Sequence, residues 1–178
     1  DGKRCRGNAK GKGQSPLSIV NANCRERGIM LAALDTADKS NEITVLPELL
    51  RLLSLKGSVV TLDAMGWQKT IAGQIIAQKG DYLISLKGNQ GNLHRETAGF
   101  FEAHEQTDAD FKEPDFLATV FESEEKSHGR HYRRRVVASA DFCGGLEPFK
   151  KEWKGLRTVV RVESWRTQNG KTSYEKRY

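Results

Sequence analysis

A chain of 178 residues, 37% of them hydrophobic and 29% charged, can bury one core and is not a disordered tail. It has no apolar run of about 18 residues and no apolar segment after its first residues, DGKR, so we expect no membrane partner. Its cysteines, Cys5, Cys24 and Cys143, are odd in number and widely spaced, which suits neither a disulfide framework nor a metal clip and favours a reducing cytoplasm. The net charge of +6 favours a polyanionic partner, of which nucleic acid is the commonest.

The charge is distributed in blocks. Basic residues dominate positions 1–12, 130–135 and 150–178, whereas acidic residues dominate positions 96–125. Such blocks are typical of solvated surface, and they are also the electrostatic footprint of a DNA-binding protein. Charge alone slightly favours the first interpretation.

Two short strands follow a glycine- and lysine-rich loop. Alternating and β-branched apolar residues predict them at residues 17–24 and 29–34. Residues 25–28 between them have the composition of a hairpin turn, because Gly28 adopts positive φ without strain.

A helix is expected over residues 41–53. Ser40 or Asn41 can cap its start, and apolar residues recur at helical spacing after it. Pro47 falls within about the first two turns, where a proline is partly tolerated, and it leaves the true start of the helix open.

A β-branched apolar run at residues 59–62 predicts a strand buried on both faces of a sheet, with Asp63 at its carboxyl end. Three further elements complete this part of the chain: a helix at 68–78 that Gly80 ends, a strand at 82–86, and a helix at 93–104.

A hairpin followed by alternating helices and strands is typical of a mixed α/β sheet with helical crossovers. The ribonuclease H-like fold has this order, with one strand before the hairpin, and that strand would end at about Asp1. We therefore predict a ribonuclease H-like α/β core over residues 1–104, with its first strand truncated and with helices flanking the sheet.

The character of the sequence changes after this core. Strand-like segments recur at residues 116–122, 132–138, 156–165 and 171–178. They predict a β-rich part over residues 105–178, which is either an antiparallel extension of the sheet or an insertion into the same catalytic domain.

Asp63 stands where catalytic residues of open α/β sheets cluster, beyond the carboxyl end of a strand. Its carboxylate can ligate a divalent cation or cap the helix that follows, and position alone favours the cap. In the ribonuclease H-like topology, the strand that ends at Asp1 is its neighbour, so both carboxylates would meet. Carboxylate oxygens are the ligands that Mg²⁺ or Mn²⁺ prefers. The alternative for Asp1 is a frayed terminal residue.

The segment Lys87, Gly88, Asn89 and Gln90 follows the predicted strand at 82–86, on the same side of the sheet as Asp63. A lysine and two amides are suited to a DNA phosphate backbone. A helix start with Asn89 as its N-cap explains the same residues, and both interpretations can hold.

The segment His128, Gly129, Arg130 and His131 contains two histidines, but it lacks further ligands at zinc spacing. We interpret it first as a polar turn into the next strand. Among functional interpretations, phosphate contact by Arg130 is favoured over metal binding.

Five segments carry a family resemblance. They are DGKRCRG at 1–7, KSNEI at 39–43, VTLDAMGWQ at 60–68, GDYLISLKGNQG at 80–91 and SHGR at 127–130. In this order and spacing they resemble the H-repeat-associated insertion-sequence transposases of bacteria, a group of the DDE transposases, and the likeness covers nearly the whole chain.

The resemblance implies a ribonuclease H-like catalytic core and metal-dependent cleavage and joining of DNA at transposon ends. It implies that Asp1 and Asp63 are the first two catalytic acids and hold Mg²⁺ or Mn²⁺, weakly in this chain. The residues that we expect to contact DNA are Lys3, Arg6, Lys87, Asn89, Gln90 and Arg130.

Two departures from the family pattern qualify this expectation. The third family acid, a glutamate in an HWxxEN-type motif, has no counterpart here, and Tyr132 stands where the family usually carries a glutamate. We therefore expect a transposase fragment that is inactive alone, because two carboxylates hold a metal pair poorly. Glutamates that can stand in for the third acid, none in a matching motif, are Glu122, Glu124, Glu125, Glu163 and Glu175.

Two alternatives from other functional classes stay open. One is a non-catalytic DNA-binding remnant of a decayed insertion element, and the other is a domesticated interaction module without a role in DNA. The sequence also leaves open the oligomeric state, including a homodimer of the parent protein, and the DNA sequence that is bound.

Overall fold

A computed structural model describes residues 2–4, 18–36, 42–62, 67–105, 118–140 and 146–178, with the backbone alone for residues 2–4, 42, 89 and 105. The chain divides into two compact units. The first comprises Asp1–Ile84 and Trp153–Gly155, and the second comprises Ser85–Glu152 and Leu156–Tyr178.

The described part of the first unit is a mixed α/β structure. Its elements are β1 (Gly2–Arg4), β2 (Ser18–Cys24), β3 (Ile29–Thr36), α1 (Glu42–Arg51), β4 (Val59–Thr61), α2 (Lys69–Ala77) and β5 (Asp81–Leu83). Strands β1, β2 and β3 pair antiparallel in that order, whereas β4 and β5 pair in parallel. The predicted α/β class, hairpin and helical crossover are therefore confirmed.

The hairpin of β2 and β3 turns through residues 25–28, with Gly28 at a φ of 64°. This is the left-handed conformation that glycine adopts without a Cβ clash. The ladder between β1 and β2 runs from Gly2 opposite Val20 to Arg4 opposite Ser18. The first strand thus continues to Arg4 instead of ending at about Asp1, because β2 offers hydrogen-bonding partners along this stretch.

Helices α1 and α2 pack their apolar sides over the strands. The buried core of this unit is formed by Val20, Leu46, Leu49, Leu50, Leu55, Trp67, Ile71 and Ile75. Pro47 lies inside α1, and its carbonyl accepts a hydrogen bond of 2.8 Å from the side-chain amide of Gln74 in α2. The proline therefore interrupts the helical ladder and also joins the two helices.

The C-terminal end of α2 is a Schellman motif. The N–H of Gly80 bonds the Ile75 carbonyl at 3.0 Å, and the N–H of Lys79 bonds the Ile76 carbonyl at 2.9 Å. Lys79 is the residue with left-handed φ, at 62°. Gly80 does end the helix as predicted, but the reason is space: a Cβ there would lie 2.9 Å from the Leu55 carbonyl oxygen.

The prediction that the strand at 59–62 is buried on both faces is wrong. Val60 and Tyr82 face the core, but Val59 is 64% exposed and Leu83 is 54% exposed. Val59 is paired with Asp81, and Leu83 with Thr61, so these residues share the opposite face of the β4–β5 ladder. Helices α1 and α2 cover one face of the described strands, and a run of apolar residues does not reveal which face a sheet leaves open.

The short segment Trp153–Gly155 packs within the first unit although it comes late in the chain. The phenol of Tyr82 donates a hydrogen bond of 2.9 Å to the Lys154 carbonyl. Partial burial raises the pKa of Tyr82 to about 12. The phenol is thus protonated in the folded chain at neutral pH, and its contribution to stability is lost as the pH rises from about 10 through that value.

The described part of the second unit is helices beside an antiparallel sheet. Its elements are a 3₁₀ turn (Gly88–Gln90), α3 (Gly91–Glu105), β6 (Ala118–Ser127), β7 (Arg130–Ser139), α4 (Glu147–Glu152), β8 (Val159–Gln168) and β9 (Lys171–Arg177). The sheet order is β6–β7–β8–β9. The four C-terminal strands predicted from the sequence are confirmed, and the described ones pair only with one another. Their assignment to a domain over residues 105–178 stays a prediction.

Alternation along the strands gives this sheet an inner face and an outer face. On the inner face, Val137 and Val159 are buried and the Arg161 guanidinium lies 5.3 Å from the ring of Phe101 in α3. Tyr178 stacks on Phe101 at 6.0 Å, and its carbonyl accepts a hydrogen bond of 2.8 Å from the N–H of Leu86. Helix α3 and the chain end are therefore held together in this unit.

Replacing Gly80 tests the close approach at the end of α2. Gly80→Ala is expected to lower the free energy of unfolding by about 1–3 kcal/mol, because the new methyl group meets backbone oxygen and buried side chains. Gly73→Ala is the matched control, since its Cβ would meet only Lys154 at 3.8 Å and alanine is favoured in a helix by about 0.5–1 kcal/mol. Urea unfolding of both variants checks this. Equal effects of the two substitutions would contradict the packing argument.

Candidate functional site

The two predicted catalytic acids, Asp1 and Asp63, lie outside the residues that the structure describes. The described residues on either side of positions 63–66 are Leu62 and Trp67. The indole N–H of Trp67 donates a hydrogen bond of 3.0 Å to the Leu62 carbonyl, and Trp67 is 3% exposed. The two ends of the segment that contains Asp63 are therefore joined at the core.

Trp67 also connects this segment to the neighbouring strand. Its ring lies 5.5 Å from the ring of Tyr82 in β5, at an interplanar angle of 50°. Because β4 and β5 are parallel, their carboxyl ends share one edge of the ladder. Trp67 belongs to the motif VTLDAMGWQ, but its burial and its hydrogen bond are not evident from that motif.

The predicted DNA contacts around the 3₁₀ turn have different environments. Lys87 is exposed, whereas Gln90 is only 8% exposed and its side-chain oxygen accepts a hydrogen bond of 3.3 Å from the Lys87 N–H. Gln90 thus closes the turn that begins α3. The side chains of Lys3 and Asn89 lie outside the described part of the structure, and so does all of Arg6.

Arg130 is the first residue of β7 and is half-buried. Cross-strand partners share a face, so the register assigns its neighbours. Ser127, Gln168 and Lys171 lie in its row, and further rows add Tyr132 with Arg166, and Arg134 with Glu175. We call this outer side the basic face, and its basic residues are Arg130, Arg134, Arg166, Lys171 and Arg177.

Two aromatic contacts order the arginines of β7. Arg134 lies over the ring of Tyr132 at 5.8 Å on the basic face. On the inner face, Arg133 lies over the ring of Trp165 at 5.4 Å. Both are cation–π contacts, which restrain a guanidinium while leaving its N–H donors available. The family glutamate that Tyr132 replaces would have added a further acid to the basic face.

Glu163 is one of the glutamates considered as a substitute for the third acid, and its carboxylate already contacts two other side chains of the sheet. It is 6% exposed, its Oε2 lies 3.4 Å from the guanidinium of Arg161, and its Oε1 accepts a hydrogen bond of 2.6 Å from the Tyr174 phenol. A buried carboxylate with these partners is a structural ion pair and not an open metal ligand.

Three other candidate glutamates also contact basic side chains. Glu122 lies 3.5 Å from both Arg133 and Arg135, and Glu124 contacts His131. Glu175 is held by Arg177 through bonds of 2.7 and 2.8 Å. Within the described ranges, no group of three or more histidine, cysteine or acidic side chains is arranged to hold a metal ion.

No helix among the described residues is both long and apolar enough to cross a membrane.

Comparison with protein families identifies the chain. The model of the family described as "Transposase DDE domain" matches residues 1–138. The chain belongs to the DDE transposase family. The resemblance seen in the five sequence motifs is thereby confirmed, and the matched range includes Asp1, Asp63, Lys87 and Arg130.

Curated DDE transposase relatives extend over the whole chain. "Putative transposase YncI" of Escherichia coli O157:H7 is 39% identical across 98% of the chain and 43% of its own length. "H repeat-associated putative transposase YhhI" of E. coli K12 is 37% identical across 94% of the chain and 42% of its length. An "Uncharacterized protein in dhlA 3'region" of Xanthobacter autotrophicus is 38% identical across 99% of the chain.

The chain spans about half the length of the curated relatives that it matches, from 43% to 57% for the first two. No solved structure matches it.

The buried ion pair of the β6–β9 sheet predicts unequal effects of two similar substitutions. Glu163→Gln keeps an acceptor for Tyr174 but leaves Arg161 without its counter-charge, so we expect a loss of about 3 kcal/mol in the free energy of unfolding. Glu175→Gln removes the exposed ion pair with Arg177, although its atoms lie closer together, and should lower the free energy of unfolding by less than about 1 kcal/mol. Urea titrations measure both. A larger loss for Glu175→Gln would show that burial does not govern these pairs.

Proposed function

We propose that this chain supplies the first two catalytic acids of a DDE transposase that cuts and joins DNA at transposon ends. The observation that carries the proposal is the family match over residues 1–138, which spans both Asp1 and Asp63. In the sequence, Asp63 follows the carboxyl end of β4 by two residues. This is where open α/β sheets carry their catalytic residues.

A ribonuclease H-like core is part of the proposal. It is supported by the order of elements in the first unit, with an antiparallel β1–β2–β3 arrangement before the parallel β4–β5 pair. In such a core, β1 and β4 are neighbours and Asp1 lies beside Asp63. Residues 1–104 would form this core, and residues 105–178 would be a β-rich insertion or extension of the same catalytic domain.

Asp1 and Asp63 are proposed to hold Mg²⁺ or Mn²⁺. The chemistry of the donor set fits, because carboxylates are the hard oxygen ligands that these ions prefer. When bound, the ions supply Lewis-acid stabilisation of phosphodiester oxygens and activate a water or a 3′-hydroxyl. The contribution of the chain is to present the carboxylates, and the hydrogen bond from Trp67 to Leu62 joins the described residues on either side of the segment that contains Asp63.

DNA is the proposed partner, in the cytoplasm. Exposed Lys87 and the basic face with Arg130 support this, since phosphate contacts from lysine and arginine supply most of non-specific DNA affinity. Lys3, Arg6 and Asn89 remain proposed contacts. For Gln90, its burial favours contact through the turn that it closes and not through its own side chain.

The 178 residues alone are proposed to be catalytically inactive. The family's third acid has no counterpart in a matching motif, and the glutamates that contact cationic side chains in the second sheet are engaged elsewhere. Two carboxylates would hold a metal pair weakly.

The second candidate function is a DNA-binding remnant without catalysis. It is favoured by one specific observation: the basic face combines several cationic side chains, and Tyr132 on that face replaces the usual family glutamate. Such a protein would bind DNA through charge alone and would not respond to divalent ions.

A Mn²⁺-soaked crystal tests the proposed acids. We expect an anomalous peak with ligands from both Asp1 and Asp63, and we expect Asp63→Asn to lose it. Asp81→Asn is the matched control, because Asp81 is an exposed aspartate at the beginning of β5. Well-ordered strands with the Asp1 and Asp63 carboxylates too far apart to share an ion would refute the site.

Nicking of supercoiled plasmid tests the proposed inactivity. The purified chain should produce no robust Mg²⁺-dependent nicking. Nicking that Asp63→Asn abolishes and Asp81→Asn preserves would support the two acids and overturn the claim that a third is required.

Salt dependence of DNA binding distinguishes the two candidate functions. In both, the logarithm of the binding constant should fall linearly with the logarithm of the salt concentration, with a slope of about −0.9 per neutralised phosphate. In the transposase, Mn²⁺ should strengthen binding and Asp63→Asn should remove that response. Fluorescence anisotropy with a labelled duplex measures both. Binding that ignores Mn²⁺ and Asp63→Asn would favour the remnant, and no binding at low salt would exclude both.

A further inference from the structure

The hairpin end of the β6–β9 sheet contains an open pocket of about 380 Å³. It lies where the turn between β6 and β7 meets the last residues of β8 and the start of the following turn. We call it the hairpin pocket, and its lining includes Lys126, His128, Arg130, His131, Gln168 and Asn169.

The ionisable side chains that line the hairpin pocket are all basic. The lining combines lysine, arginine and histidine side chains with hydroxyl and amide donors, and it includes no acidic residue. One acid, Glu124, contacts the lining residue His131. A site with a lysine, an arginine and neutral donors but no acid in its lining is suited to an anion with several oxygens.

Two tight turns hold this pocket in shape. His128 and Gly129 have φ values of 50° and 71°, and Asn169 and Gly170 have values of 50° and 72°. Two consecutive positive φ angles define the hairpin turn that matches the twist of its strands. The pocket is therefore built on two fixed hairpin ends of one sheet and does not depend on a long loop.

Gln168 orients Arg130 at the pocket. Its side-chain oxygen accepts hydrogen bonds from the Arg130 Nε at 3.2 Å and from an Arg166 terminal nitrogen at 2.9 Å. The terminal nitrogens of Arg130 have no hydrogen-bond partner among the described residues. A guanidinium fixed through Nε with its fork open is the geometry that binds two oxygens of one phosphate.

We propose that the hairpin pocket binds one phosphate group of the DNA backbone through Arg130 and Lys126. Arg130 supplies the forked contact from the basic face. Lys126 lies opposite His131 on the other face of the hairpin, and its exposed side chain, without an ion pair in the described part of the chain, adds a second charge at the hairpin end. The Gln168 and Asn169 amides are the neutral donors at its rim. The inference rests on the proposed DNA-binding function and adds to it the two side chains that would share one phosphate group.

The test is the salt dependence of duplex binding by the double variant Lys126→Gln/Arg130→Gln. If both residues serve one phosphate, the slope of log K against log salt should become shallower by about 0.9 over about 50–200 mM salt, with the same loss on unrelated duplexes. Loss of two phosphates, about 1.8 in slope, would overturn the shared site.

A matched control removes equal charge elsewhere in the same unit. Lys151→Gln/Arg95→Gln changes an exposed lysine of α4 and an exposed arginine of α3 that is paired with Glu96. This variant should keep the parent slope. An equal change in both double variants would mean that net charge, and not the pocket, sets the affinity, and it would overturn the proposal. Thermal unfolding of each variant ensures that folded proteins are compared.

NMR titrations with a DNA duplex and with inorganic phosphate distinguish failure of the proposed pocket from failure of the proposed DNA-binding function. Amide NMR signals of His128, Gly129 and Asn169 should shift on addition of a DNA duplex and be restored toward their free positions by high salt. Duplex binding that the pocket variant leaves unchanged would overturn the pocket and leave the proposed function standing. Shifts with inorganic phosphate in a chain that binds no duplex would overturn DNA as the source and the proposed function with it. Absence of both responses would overturn both proposals.

Discussion

Parallel pairing of β4 with β5 is the constraint on which the first unit depends. Two parallel strands cannot be joined by a tight turn, so the chain must return through a helix. Helix α2 makes this return, and its end is set by the close approach of Gly80 to Leu55. The buried side of α2 then forms the core with α1, and the carboxyl ends of both strands lie at one edge. Asp63 follows that edge in the sequence.

The second sheet carries several arginines on one strand, β7. Alternation sends Arg135 to the inner face and Arg130 and Arg134 to the basic face. On the inner face, charge is neutralised by glutamates, as in the pair of Arg161 and Glu163. On the basic face, Arg177 is paired with the exposed Glu175, and Arg134 lies over the ring of Tyr132. Burial therefore decides which arginines of this sheet need a buried glutamate as a partner.

Much of this arrangement follows from the sequence because its signals are local. Helical spacing predicts α1, α2 and α3, and glycine in the turn predicts the β2–β3 hairpin. The exposure of Val59 and Leu83 was not predictable, because an apolar run carries no information on which neighbours cover it. Nor was the left-handed Lys79, whose strain is offset by the hydrogen bonds of the helix end.

The candidate site likewise combines features that local motifs predict with features that only tertiary contacts determine. The family motifs are what predict Asp1 and Asp63 as the acids, because that prediction needs only the local pattern. The role of Trp67 and the burial of Gln90 depend on tertiary contacts that no motif encodes. The engagement of Glu163 depends on Arg161 and Tyr174, which meet it only through the register of β8 and β9.

The two-residue period of β7 has a genetic consequence. Loss of a single codon within these ten residues would shift every later side chain to the opposite face. Such a deletion would move Arg135 and Val137 outward and bring neighbouring side chains into the core. The arrangement of the basic face and the packing of the inner face would then be lost in one event. A single in-frame deletion in β7 would therefore be more damaging to the sheet than most single substitutions in it.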